Sequence, residues 1–275
     1  MSEAVATTLP STETADTPVI DDWAFGIDAG VIVVISAAIA TLSHQLAVMT
    51  ILVPAVLVGR FVLWARLPAR SRGHGGRAEA LLCLVCLALG AFNDWSSVVR
   101  HQVYDYTVPH YFPALTTIPL WMLLYWGMIL RFFVSLCRWH RLTPPRRPDS
   151  RVRGLDGDHP WLKIALQLVL VLGTRQAIYR LHDDPWWSWL PFAGAIALWL
   201  VVFRATRHDA KLLALFAVGG PGIEILYIQV GSLHLYHLGW LGGVPLWIAL
   251  WWLLAVLVGK DLSGRLLRLV RGAEG

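Results

Sequence analysis

Charge is scarce in this sequence. Of its 275 residues only 15% are Asp, Glu, Lys or Arg, whereas 56% are hydrophobic and the mean hydropathy is +0.57. Soluble domains carry about a quarter charged residues, and a water-soluble chain with this balance would expose too much apolar surface to stay dispersed. A free cytosolic enzyme, a nucleic-acid reader and a disordered chain are excluded. Lysine is scarcer still: Lys163, Lys211 and Lys260 all fall at expected helix ends, so a mid-helix Schiff-base lysine is absent. Three cysteines remain, and the Cys83-Leu84-Val85-Cys86 pair has no second ligand pair. It reads as small buried side chains rather than zinc or redox chemistry. No GxxxxGK[ST] phosphate loop occurs, and neither HxxxH nor HExxH does. No cofactor is implied, and no metal is assigned. Residues 1–23 contain no Lys or Arg, lack the basic start of a signal peptide, and read as a retained acidic disordered tail.

What is present is long apolar runs. A membrane-spanning helix needs roughly 20 mostly apolar residues, and eight segments qualify: 24–43, 46–65, 79–99, 114–137, 161–180, 186–204, 212–230 and 244–260. The first two are joined so tightly at Ser43-His44-Gln45 that a re-entrant pair stays open. With the N-terminus inside, seventeen Lys and Arg fall in inner segments and only Arg100 and Arg180 in outer ones. That asymmetry follows the positive-inside rule and sets both termini in the cytoplasm. The expectation is an all-α polytopic bundle over 24–260, in an inner (plasma) membrane of bacterial type. Its halves, 24–137 and 161–260, are joined by a basic loop over 138–160, and a basic tail follows over 261–275.

The halves carry matching segments. Ile118-Pro-Leu-Trp-Met-Leu-Leu-Tyr-Trp126 aligns with Val244-Pro-Leu-Trp-Ile-Ala-Leu-Trp-Trp252, and Asp94 precedes Tyr106 by the same twelve residues that separate Glu224 from Tyr236. This spacing implies an internal repeat, parallel rather than inverted.

Ionisable groups inside spans are costly, on the order of 3 kcal/mol for an Asp at mid-bilayer, and therefore informative. Asp94, Glu224, Arg131 and Arg175 stand out, and Asp28 reads as a solvated helix-end residue. Gly219-Gly-Pro-Gly222 is expected to break or kink the helix bearing Glu224, so that the carboxyl faces a pocket. Outer loops rich in Tyr and His, including Tyr104, Tyr106 and Tyr236, follow these positions. Asp94, Arg175 and Glu224 could then share one polar site under an aromatic lid, or the carboxyls could pair with Arg175 or Arg131 as structural ion pairs. The candidate acids are Asp94 and Glu224. The candidate binding residues are Asn93, Tyr104, Tyr106, Trp121, Arg175, Tyr236 and Trp247.

Glu224, the stretch Gly231-Ser-Leu-His-Leu-Tyr236 and Gly243-Val-Pro-Leu-Trp247 with Trp252 resemble the pattern of carotenoid hydratases. More loosely, they resemble lycopene cyclase domains and integral-membrane terpene cyclases. The resemblance implies protonation of an isoprenoid alkene or epoxide by Glu224 and Asp94, then cyclisation or hydration. The alternative is a transporter or non-catalytic membrane protein with a substrate or proton site at Glu224. A membrane lipid or isoprenoid is the expected partner, and nucleic acid is not.

Overall fold

The computed structural model describes residues 19–142, 151, 160–203 and 205–272. The chain is a helical bundle. Its helices are α1 (Asp22–Leu42), α2 (Leu46–Arg66), the single turn α3 (Ala69–Arg72), α4 (Gly76–Trp95), α5 (Leu120–Arg138), α6 (Pro160–Leu181), α7 (Leu190–Val202), α8 (Arg207–Gln229) and α9 (Leu246–Gly272). Two short strands, β1 (Tyr104–Tyr106) and β2 (His234–Tyr236), pair antiparallel. Among the described residues seven helices are long and apolar enough to cross a membrane, and this is an integral membrane protein. The direction of the chain alternates, so α1 begins and α9 ends at the same arginine-rich end.

Several expected boundaries move. The first two segments form complete 21-residue helices packed on each other, not a re-entrant pair. The sixth segment yields only the 13-residue α7, about 20 Å at 1.5 Å per residue. Asp184 causes the late start: its side chain accepts the amide N–H groups of Trp186 and Trp187, both at 2.8 Å, holding a turn where the helix would otherwise begin. Residues 261–272 are not a free tail but the end of α9. Leu267 and Val270 there are buried against Ala78, Leu82 and Cys86 of α4 and Val134 of α5. The expected N-terminal tail is ordered from residue 19 onward. Ile20 bridges to Trp139, and Asp21 caps α1 by accepting from the Ala24 amide at 2.9 Å. The rest of that tail, most of the 138–160 loop and the last three residues lie outside the described residues.

The expected break at Gly219–Gly222 does not occur: α8 runs unbroken through Pro221. A helix tolerates the lost proline hydrogen bond where neighbouring helices support it, and here the glycine serves packing. A Cβ on Gly220 would sit 2.4 Å from the Trp252 ring of α9. The first half repeats the device. A Cβ on Gly90 would lie 2.9 Å from the Trp126 carbonyl carbon, and one on Gly127 would lie 2.7 Å from Leu87 Cα.

The parallel repeat is visible in the strand register. Tyr104 faces Tyr236, Asp105 faces Leu235 and Tyr106 faces His234. In the aligned halves Tyr104 corresponds to His234 and Tyr106 to Tyr236, so each residue pairs with its neighbour's counterpart, and the corresponding Asp105 and Leu235 meet. That is the self-complementary pattern of a two-fold axis. The turns before the strands match as well. Gln102 and Ser232 hold left-handed φ of 48° and 43°, and the amides of Val103 and Leu233 bond the carbonyls of Ser97 and Tyr227 at 2.9 and 3.0 Å.

Candidate functional site

Two polar clusters lie at opposite ends of the bundle. At the arginine-rich end Asp28, expected to be solvated, is 4% exposed. It accepts from Arg60 Nε at 2.6 Å and from the Ser135 hydroxyl. Glu79 accepts from Arg131 Nε at 3.0 Å and Nη2 at 2.8 Å, and from Arg60, with His74 Nε2 at 2.6 Å. Arg131 therefore serves Glu79 and Asp28, not Asp94 or Glu224. Asp28 lies about 9 Å along α1 from Asp22, and its position near the helix end does not reveal that it faces inward. The second half repeats the arrangement with different charges: Lys260 bonds Asp209 at 2.5 Å, and Gln167 bonds Asp261 at 2.6 Å. Glu79 and Asp209 correspond in the repeat, as do Ser135 and Asp261. Each acid here has a cationic or hydrogen-bonding partner, as in a structural ion-pair network, although Asp28, Arg60 and Arg131 also border a cleft with Cys83, Met128 and Phe132.

The loop end is different. Along β1 and β2 alternate side chains turn inward, so Tyr104 and Tyr106 project towards Asp94 at the end of α4, and His234 and Tyr236 project towards Glu224 on α8. Asp94 is fully buried and accepts from the Tyr104 hydroxyl and from Tyr106 at 3.0 and 3.2 Å, with Trp126 Nε1 donating to Tyr106 at 3.3 Å. Burial first, then the adjacent carboxyls, holds Tyr104, Tyr106 and Tyr236 well above the usual phenol range, so they act as donors. Glu224 is less well served. The Tyr236 hydroxyl is 3.4 Å away, and His234 Nε2 lies 3.1 Å off but outside hydrogen-bonding direction, leaving both nitrogens of that buried ring without a hydrogen bond.

A narrow cleft opens beside this cluster. Asn93, Tyr104, Arg175, Tyr236, Trp247 and Glu224 line it, together with Ser97, Trp126, Tyr179, Ile248 and Trp251. Tyr106 instead borders a smaller space lined by Glu224 and His234. Asp94 and Trp121 line neither, and the Asp94 oxygens are occupied by phenols. Asp94 is thus placed to hold the ribbon rather than to touch a guest. Arg175 donates to Tyr179 at 2.8 Å through Nε, and through Nη2 to the Asn93 carbonyl and the Ser97 hydroxyl at 3.2 Å each. Among the described residues it forms no ion pair, so it neutralises neither Asp94 nor Glu224.

The two junctions between the halves differ in how closely they pack. Between α1 and α8 the halves meet closely. Ser36 bonds Tyr125 and Tyr227 at 2.9 and 2.8 Å, and a Cβ on Gly231 would reach the Ile39 carbonyl at 3.1 Å. The corresponding junction of α4 and α6 lacks close backbone packing. Among the described residues Arg175 and Tyr179 make the hydrogen bonds across it, the latter to Ser96 at 3.0 Å. Exposed Phe92, Trp95 and Leu172 flank the gap.

No protein-family model matches the chain, and no curated protein matches it. Among solved structures, the crystal structure of an Insig homolog from Mycobacterium vanbaalenii matches with a TM-score of 0.50 and 21% identity, covering 68% of this chain and 92% of that one. The two share a fold. That finding overturns the resemblance to carotenoid hydratases, lycopene cyclase domains and terpene cyclases, since the structural neighbour is of another kind and no family model supports theirs. The resemblance rested on Pro-Leu-Trp, Gly and Tyr positions, and here these residues build helix starts, a close crossing and a strand pair.

Proposed function

We propose that the protein is a non-catalytic membrane protein that seats an amphipathic membrane lipid between its halves. The lipid enters sideways through the gap between α4 and α6. Its polar head lies between Arg175 and Glu224, and its chain lies along Trp126, Trp247, Ile248 and Trp251. The observation that carries this reading is Arg175, a half-buried guanidinium in the last two turns of α6 with no ion-pair partner among the described residues, on the wall of a cavity otherwise rich in Trp. A half-buried cation without a counter-charge is costly at membrane depth. An acceptor oxygen on the lipid head satisfies it, and a hydroxyl on the same head donates to the poorly served Glu224. The phenols around Asp94 keep the carboxyl occupied, which favours binding over acid chemistry at that position.

Native mass spectrometry of protein released from mild detergent tests this. Wild-type protein retains about one lipid per chain, Arg175→Ala loses it, and Arg175→Lys keeps part of it. Lipid retention unchanged in Arg175→Ala, with the variant still monodisperse, would overturn the reading.

A further inference from the structure

Outside the membrane-embedded cavity, three loop segments bring together side chains that have no spacing motif in sequence. His182 and Asp183 follow α6, His237 follows β2, and Asp105 is the outward-facing residue of β1. One donor atom from each of His182, Asp183 and His237 lies within 4.8 Å of the others. His182 Nε2 is 3.4 Å from Asp183 Oδ2, His237 Nδ1 is 2.9 Å from Asp183 Oδ1, and His237 Nε2 is 3.4 Å from Asp105 Oδ2. Tetrahedral ligands at bonds of ~2.0 Å stand roughly 3.3 Å apart, so His182, Asp183 and His237 Nδ1 stand close enough to share an ion after small side-chain rotations, while Asp105 holds the other edge of the His237 ring.

The second observation concerns His182 itself. Its Nδ1 lies 3.3 Å from the Ile178 carbonyl, one turn back in α6. A proton on Nδ1, donated to that carbonyl, leaves the Nε2 lone pair facing Asp183. Orientation of a histidine by a backbone carbonyl on its other nitrogen is the usual support of a metal ligand. Two imidazoles and carboxylate oxygen suit a borderline transition ion, whereas Mg²⁺ and Ca²⁺ require mostly oxygen ligands.

We propose that His182, Asp183 and His237 form a divalent transition-metal site of the Zn²⁺ class on the loop face, with water completing the coordination and Asp105, at the other ring nitrogen of His237, orienting that imidazole. The ion ties the end of α6 to the β1–β2 ribbon. Since α6 carries Arg175 and Tyr179 and is not packed on α4, the tie fixes the spacing of the α4–α6 junction from outside. The site does not depend on what the cavity holds.

Untagged protein stripped of metal and titrated with Zn²⁺ and Co²⁺ tests the assignment. Wild type binds one equivalent of Zn²⁺, and Co²⁺ gives tetrahedral d–d absorption without the intense near-ultraviolet band of thiolate ligation, which excludes Cys83, Cys86 and Cys137 as the source. His182→Ala and His237→Ala each weaken binding at least tenfold while leaving the detergent elution profile unchanged, and Asp105→Asn weakens it less. Zn²⁺ slows hydrogen exchange over 181–189 in wild type only, and Mg²⁺ does not reproduce the effect. Binding that is equal in the wild type and both histidine variants, or absent from wild type, would overturn the proposal.

Discussion

Removal of Glu79 is the most demanding test of how the arginine-rich end is held. The carboxyl is fully buried and takes hydrogen bonds from Arg131 at 2.8 and 3.0 Å and from Arg60, with His74 at 2.6 Å. In Glu79→Ala, Asp28 alone faces two guanidiniums, 2.6 Å from Arg60 and 3.5 Å from Arg131. Breaking a buried pair while leaving its partner charged costs about 3–5 kcal/mol, which is more than a hundredfold in the folded-to-unfolded ratio at ~1.4 kcal/mol per tenfold. The double variant Glu79→Leu/Arg131→Leu removes one charge of each sign and leaves Asp28 paired with Arg60. Its cost should fall short of the summed single variants by more than ~1 kcal/mol, as coupled neighbours do. SDS titration in mixed micelles, followed by tryptophan fluorescence, reads both quantities. A Glu79→Ala cost under ~1 kcal/mol, or strict additivity in the double variant, would refute the buried-network reading.

Three further outcomes follow from the packing. Gly127→Ala forces a methyl to within 2.7 Å of Leu87 Cα and should destabilise the protein by about 1–3 kcal/mol, whereas Gly219→Ala, with open space around it, should be neutral or slightly stabilising in the same titration. Leu267→Ala empties a buried position and should cost about 2–5 kcal/mol. That result would separate an anchored α9 terminus from a free tail, for which no cost is expected. Asp94→Asn turns an acceptor into a part-donor facing two phenols and should cost about 1–3 kcal/mol while lipid retention by native mass spectrometry persists. Glu224→Gln should do the reverse, losing lipid with little change in stability.

How much of this could be read from the chain depends on which physical signal each feature leaves. The helices are legible because apolar runs of spanning length have few other meanings, and the repeat is legible because Pro-Leu-Trp recurs beside a matched acid–tyrosine spacing. The shortened α7 is not, because Asp184 bonding two backbone amides is a local turn that hydropathy averages away. Asp94, Arg175 and Glu224 are individually conspicuous as charges in apolar runs. What sequence does not give is their division of labour, with Asp94 sealed by phenols and Glu224 on a cavity wall. Arg60 and Glu79 escape the sequence reading although the same signal was available: Arg60 interrupts Val58-Gly59 and Phe61-Val62, and Glu79 opens an apolar run. The cavity residues Trp126, Ile248 and Trp251 are indistinguishable in sequence from ordinary core and belt residues. Tyr179 is legible as one of the polar residues that follow Arg175, but its place is on α6 rather than in an outer loop, four residues on and on the same helix face.

Photolabelling tests lipid seating most directly. A membrane lipid bearing a diazirine in its acyl chain is reconstituted with the protein, and its adducts are mapped by peptide mass spectrometry. Lipid held between the halves predicts adducts concentrated at Trp126, Ile178, Ile248 and Trp251, lost in Arg175→Ala and competed by unlabelled lipid. Adducts spread evenly over outward residues such as Ile51, Val58 and Val218, and indifferent to Arg175, would contradict it.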